Sequence, residues 1–301
     1  MIMQQGDRTI FVTGATGRQG HSACRYLREA GWNVKGLTRK PESPEAANLM
    51  AMGVKLVDGD LEEPSSFIQD LKGAYGVLAI LTYVEGGPEA EMRQLRNLAD
   101  ASAEADIQHF VYSSVSGADK KSGIPFFDSK QQNEVYIISR EIPYTFLRPA
   151  HFMENFNIGP QCKSIRDGRL VFPLPPDRTL QMVAIDDIGF FSAMAFDRGD
   201  EMIGESYDLA GDELTMPEVA QRFSAHLGRD VEFIQLPMDE LEKMDPEYPV
   251  MAQWLQDVGY KSDISSIRRM HPSLLSFDVW LSSGYWRGMG QKKKVMEGVQ
   301  T

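Results

Sequence analysis

Apolar residues recur along the first half of the chain in two alternating rhythms. Short runs rich in β-branched and aromatic side chains occur at Thr9 to Thr13, Val34 to Thr38, Val54 to Val57, Gly76 to Leu81, Phe110 to Ser113 and Tyr144 to Leu147. Between them, apolar positions fall three and four residues apart. Ala23, Leu27 and Ala30 share one face of a helix over His21 to Ala30 that Gly31 stops, and Met92, Leu95, Leu98, Ala99 and Ser102 stripe a helix from about Pro88 to Ala105. Further helices are expected from about Pro64 and over Ser129 to Arg140. Strand runs alternating with helical periods predict parallel strands joined by helical crossovers, here six units of a doubly wound α/β sheet.

The rhythm changes after Pro149, which is expected to break the sixth strand. Pro173, Pro175 and Pro176 cluster near Gly168, a short strand is expected at Met182 to Ile185, and a helix over Ile188 to Phe196 follows Asp186 and Asp187, one of which reads as its N-cap. Ile203 to Ala210 looks like a strand that returns to the main sheet. The expected layout is a dinucleotide-binding domain over residues 1–150 with a return at 183–212, and a smaller α+β lobe over 151–301 that takes a substrate or partner. Trp254, Trp280, Tyr285 and Trp286 suggest an apolar cover over a cleft.

The first run empties into Gly14-Ala15-Thr16-Gly17-Arg18-Gln19-Gly20. Glycines three apart let the backbone turn, approach a pyrophosphate closely, and pack the next helix on its strand, with that helix's free N–H groups facing the anion. A glycine pattern alone also fits an ordinary turn, but the strand before it and the helix after it favour a dinucleotide loop. The end of the second run carries Arg39 and Lys40, where an NAD-selective site would carry an acid for the ribose 2′-hydroxyl, and no Asp or Glu lies between Glu29 and Glu42. A guanidinium binds a 2′-phosphate through charge-assisted hydrogen bonds. The expected cofactor is therefore NADP(H), with Arg39 on the 2′-phosphate, Lys40 beside it and Arg18 as a second partner.

Composition narrows the partners. The chain has 301 residues, 42% of them apolar, and a formal charge of −12, which argues against direct contact with a nucleic-acid backbone. The Lys292-Lys293-Lys294 run reads as a solvated patch. Met1 to Asp7 lacks the regions of a signal peptide and no apolar stretch approaches a bilayer span, so a cytoplasmic protein is expected. Cys24 and Cys162 read as packing residues, and the histidines have no ligand-like spacing, so no metal is expected.

These residues together resemble the NmrA-like branch of the atypical short-chain dehydrogenase/reductases, built on a Rossmann fold. The resemblance rests on VTGATGRQG at Val12 to Gly20, the Arg39 site, VDGDL at Val57 to Leu61, YSSVSG at Tyr112 to Gly117, FFDSK at Phe126 to Lys130, LRPAHFMENF at Leu147 to Phe156 and VAIDDIG at Val183 to Gly189. It implies that Gly14, Thr16, Gly17, Arg18, Gln19 and Gly20 hold phosphates and that Asp60 and Leu61 flank the adenine. It further implies that Leu81 and Thr82 pass the ribose, that Lys130 grips the nicotinamide ribose, and that Phe152 walls the ring. Ser113 or Ser114 would meet a substrate carbonyl.

The resemblance breaks at the catalytic Tyr-x-x-x-Lys pair, where Phe126 stands in the tyrosine position. Phenylalanine has no proton to give, and general acid catalysis contributes roughly 10²–10⁴ in rate. Tyr83, Tyr112 and His151 are the candidates to stand in. Two functions remain open: an NADP(H)-sensing regulator that acts through a protein partner or a homodimer, and an NADPH-dependent reductase of a quinone or other activated carbonyl or enone, with Lys130 and Ser114 as its catalytic residues.

Overall fold

A computed structural model describes residues 8–84, 86–244 and 248–286. Both Met1 to Asp7 and the Lys292-Lys293-Lys294 run lie outside these. In chain order the first half comprises β1 (Thr9–Val12), α1 (Arg18–Glu29), β2 (Asn33–Thr38), α2 (Pro44–Ala51), β3 (Lys55–Asp58), α3 (Ile68–Leu71), β4 (Gly76–Ala79), α4 (Gly87–Glu104), β5 (His109–Ser113), α5 (Pro125–Ser139) and β6 (Tyr144–Pro149). The second half comprises β7 (His151–Phe152), α6 (Gly159–Arg166), β8 (Arg169–Phe172), β9 (Thr179–Val183), α7 (Ile185–Asp197), α8 (Gly199–Met202), β10 (Ser206–Leu209), β11 (Asp212–Thr215), α9 (Met216–Leu227), β12 (Glu232–Gln235), α10 (Met238–Met244), α11 (Tyr248–Asp257), α12 (Ile264–Met270) and α13 (Phe277–Ser282).

The main sheet has seven parallel strands in the order β10-β6-β5-β4-β1-β2-β3. This is the Rossmann arrangement, with the strand order reversing between β1 and β4. Strands buried on both faces read as continuous apolar runs, as Phe110, Val111 and Tyr112 of β5 do. One face packs on α1 and α7 through Ala23, Leu27, Ile188 and Phe191; the other packs on α4 and α5 through Leu95, Leu98 and Ile137. A third core lies under β7, β9 and α9 and is built mostly from residues after Pro149. There β9 pairs with β7 and β11, and β8 pairs with β12.

Several expectations need correction. The helix of the FFDSK segment begins at Pro125, earlier than Ser129, because a proline at the first helical position has its φ already set and lacks only an N–H the helix leaves unused. The helix expected from Pro64 is a single 3₁₀ turn, Pro64–Ser66, followed by the one-turn α3. β6 runs through Pro149, which pairs with Leu209, since a proline at a strand's last position removes one donor only. β9 ends at Val183, and Ile185 already opens α7. The N-cap of α7 is Ala184, with Asp186 and Asp187 in the first turn, where acids complement the helix dipole. Trp254, Trp280 and Trp286 do not cover a cleft; they are buried in this third core, where Trp280 donates to Glu154 Oε1 at 3.0 Å and Trp286 to the Phe156 carbonyl at 3.3 Å. No helix among the described residues is long and apolar enough to cross a membrane.

Candidate functional site

The crevice opens where the strand order reverses, above the ends of β1 and β4. Thr13 clasps the two ends together: its hydroxyl donates to the Ile80 carbonyl at 3.0 Å and accepts from the Ile80 N–H at 2.9 Å. The loop that follows depends on glycine. Gly14 has φ 59°, and a Cβ there would meet the Ile80 carbonyl at 2.8 Å; a Cβ on Gly20 would lie 2.2 Å from the Gly14 carbonyl. α1 starts at Arg18 with Gly17 as its N-cap and no side-chain cap, so its first N–H groups keep no side-chain acceptor.

Beside the loop lies a pocket of about 370 Å³. Gly14, Thr16, Gly17, Arg39, Lys40, Asp60, Leu61, Leu81 and Thr82, scattered over four strand ends, all line it. Arg39 and Lys40 are exposed at its rim, on the end of β2. Thr38, Ser43, Glu45 and Gln94 line it too, although nothing in the loop pattern singles them out. Asp60 is fixed within its own loop, its Oδ1 accepting from the Glu62 N–H at 3.0 Å.

The other predicted residues gather at the end of β5. Gln19 donates to Ser113 Oγ at 2.6 Å, tying the glycine loop to that strand. Ser114 is buried with an unpartnered hydroxyl. Lys130, one turn into α5, is also buried, and its ammonium sits 2.7 Å from Glu91 Oε1. Gly20 packs at the root of α1, and Phe152 is half-buried against the core around Leu147 and Val183.

The candidates to replace the missing phenol differ in placement. Tyr112 is fully buried and accepts from Asn133 at 2.9 Å, and burial raises its phenol well above the usual range. His151 is wedged against Phe156 and Phe172, and burial lowers it to about 4, so it is neutral at pH 7. Tyr83 packs against Phe126 with ring centroids 4.5 Å apart and the rings tilted by 36°.

Arg18 points elsewhere. Its guanidinium donates to the Glu154 carbonyl oxygen at 3.3 Å and lines a second cleft of about 800 Å³ beside α1, which shares Thr16, Gly17 and Glu45 with the first. The far wall of that cleft includes Asp186, which accepts from Arg25, from Tyr26 at 2.9 Å and from Tyr285 at 2.9 Å. Its neighbour Asp187 faces inward to His271 at 3.1 Å. Sequence reasoning missed these ties and also Glu91, which falls in step with the α4 stripe at Leu95, Leu98 and Ser102; an acid in an apolar stripe is the signal that was there to find. Among the described residues no group of three or more His, Cys, Asp or Glu could hold a metal ion.

The fold and the glycine loop at its switch point define a Rossmann-type nucleotide-binding architecture. The chain belongs to the NmrA-like family, whose model matches residues 6–278. It is 29% identical to the NAD(P)H azoreductase of Xenophilus azovorans over 237 residues, 78% of this chain and 79% of that protein. It is 27% identical to the nitrogen metabolite repression protein nmrA of Emericella nidulans over 278 residues, 88% of this chain and 75% of that one. In structure it resembles the triphenylmethane reductase of Citrobacter sp., solved in complex with NADP(H), with a TM-score of 0.78 at 20% identity over 91% of this chain and 99% of that one.

Proposed function

We propose that the protein binds NADP(H) across the crevice and acts as a nucleotide-responsive regulator. One juxtaposition carries the reading: a pocket rimmed by Arg39 and Lys40 beside a site whose proton-donor position is Phe126. The residues fit the nucleotide. Gly14 and Gly17 leave bare backbone where a pyrophosphate would lie, the uncapped start of α1 offers N–H groups to it, and the rim cations suit a 2′-phosphate. When bound, the reduced nucleotide supplies a hydride. The chain's own groups bind and orient it, but Tyr112 and His151 are in no position to give a proton, the first engaged in the core and the second neutral.

Calorimetric titration with NADP and NAD side by side tests the binding. Tighter NADP supports the reading, and equal affinity or tighter NAD overturns it. A regulator also changes oligomeric state or partner binding when NADP(H) is added, which analytical ultracentrifugation reads.

A second reading has its own support. Lys130 and the Ser113 carbonyl meet at the end of β5 next to Ser114, which suits an NADPH-dependent reductase of a quinone or similar acceptor that needs little help from a protein acid. Azoreductase and triphenylmethane reductase, both reductases by name, lie among the relatives and structural neighbours. Incubation with NADPH and a panel of quinones and carbonyls, followed at the absorbance of the reduced nicotinamide, separates the two. Sustained turnover that Lys130→Ala abolishes would favour the enzyme.

A further inference from the structure

Glu91 is a charged residue that the reading above leaves without a task. It lies in the first turns of α4 on the buried face and is completely inaccessible to solvent. Its two oxygens are treated very differently. Oε1 takes the Lys130 ammonium at 2.7 Å, the Tyr112 hydroxyl at 3.3 Å and Asn133 Nδ2 at 3.5 Å, while Oε2 accepts no hydrogen bond. Leaving a buried acceptor bare is unfavourable, and a buried ion pair adds little stability over apolar packing. What such a pair does supply is a fixed position for its charge.

Lys130 is 3% exposed, and besides Glu91 it reaches the Ser113 carbonyl at 3.5 Å. An ammonium has three donors, and these two oxygens occupy two. The other nearby carboxylate, Glu134, is held by Arg148 through bonds of 2.9 and 2.6 Å, so Glu91 is the acid that locates Lys130. Residues 91 and 130 come from different helices, α4 and α5, so the pair also sets the spacing of those helices beside β5.

We infer that Glu91 is a positioning residue for the nicotinamide-ribose end of the site: it pins the Lys130 ammonium at the end of β5, where the third donor meets a ribose hydroxyl of the bound nucleotide. The inference rests on the NADP(H) reading and concerns one half of that ligand only. It therefore separates NADP(H) from 2′,5′-ADP, which has the adenosine and its 2′-phosphate but no nicotinamide ribose.

The test is calorimetry with NADP and 2′,5′-ADP on the full chain and on Glu91→Gln, Lys130→Met and the double variant. Glu91→Gln should weaken NADP about tenfold, the worth of one charged hydrogen bond, and leave 2′,5′-ADP unchanged. Lys130→Met should do the same, and the double variant should be no weaker than Lys130→Met alone. If Glu91→Gln does not fold, the double variant, which buries no unpaired charge, and Glu91→Asp, which shortens the acid, carry the comparison. Glu91→Asp should then weaken NADP and spare 2′,5′-ADP. Equal losses for both ligands, no loss for either, or additive losses in the double variant overturn the positioning role. Failure of the unmodified protein to bind 2′,5′-ADP would instead overturn the NADP(H) reading itself.

Discussion

The two halves of the crevice are built on opposite principles. The half beside β2 and β3 is open: bare glycine backbone, exposed Arg39 and Lys40, and strand-end side chains that line a pocket. The half at the end of β5 is closed on itself, with Gln19 on Ser113, Lys130 on Glu91, Asn133 on Tyr112 and Tyr83 over Phe126. Exposed Arg39 and Lys40 can meet an anion through short charge-assisted contacts, with Glu45 and Asp60 lining the same pocket. A closed polar network gives rigidity and sets where its charges sit, but it offers little that can move toward a substrate. On the proposed reading, the contrast assigns nucleotide recognition to the open half and leaves the other half invested in internal order.

The largest effect should come from filling the close approach between the glycine loop and α1. Gly20→Val would drive a side chain into the Gly14 carbonyl, from which even a Cβ stands 2.2 Å, and backbone cannot yield as a side chain does. Stability should drop by about 3 kcal/mol or more, with nucleotide binding lost, as melting and calorimetry would report. Next, Arg39→Ala should weaken NADP by roughly one to two powers of ten while sparing NAD, from the loss of hydrogen bonds worth about 1.5–3 kcal/mol. A parallel loss for NAD would erase the distinction between the halves.

Acid should act at the end of β5 opposite the closed half. β5 carries Ser113 at one end and His109 at the other; burial lowers His109 to about 4, with Nε2 bonded to Thr145 at 2.7 Å. A histidine kept neutral in the fold contributes stability above its unfolded value near 6.5, and that contribution fades as pH falls from there to about 4, by up to roughly 1.4 kcal/mol per pH unit. Urea unfolding at pH 7 and pH 5 should show the loss, and His109→Gln should reduce it, leaving the share of His151, which burial likewise lowers to about 4. The smallest effect belongs to Glu45, an exposed acid lining the cationic pocket: Glu45→Gln should tighten NADP by about twofold, since exposed charges interact weakly, and leave NAD alone.

How much of this was legible in the sequence follows the same divide. The open half could be read because its parts are local: three glycines at fixed spacing, a strand before them, and a basic pair at the next strand's end. Asp60, Leu61, Leu81 and Thr82 reached the pocket simply by ending strands. In the closed half Ser113, Phe126 and Lys130 could be named, but not their bonds, which join residues far apart in sequence, as Glu91 to Lys130 and Gln19 to Ser113 do, with no spacing rule to connect them. Asp186 and Asp187 looked like caps for the same reason; what they hold, Tyr285 and His271, comes from the last part of the described chain.

The position of β10 bears on how the molecule is made. Its four residues pair with β6, yet more than fifty residues, α7 among them, emerge from the ribosome between the two strands. Until Leu209 is synthesised, β6 presents a bare row of amides and carbonyls, the kind of edge that recruits other chains into aggregates. A chain halted before that point would carry that edge uncovered.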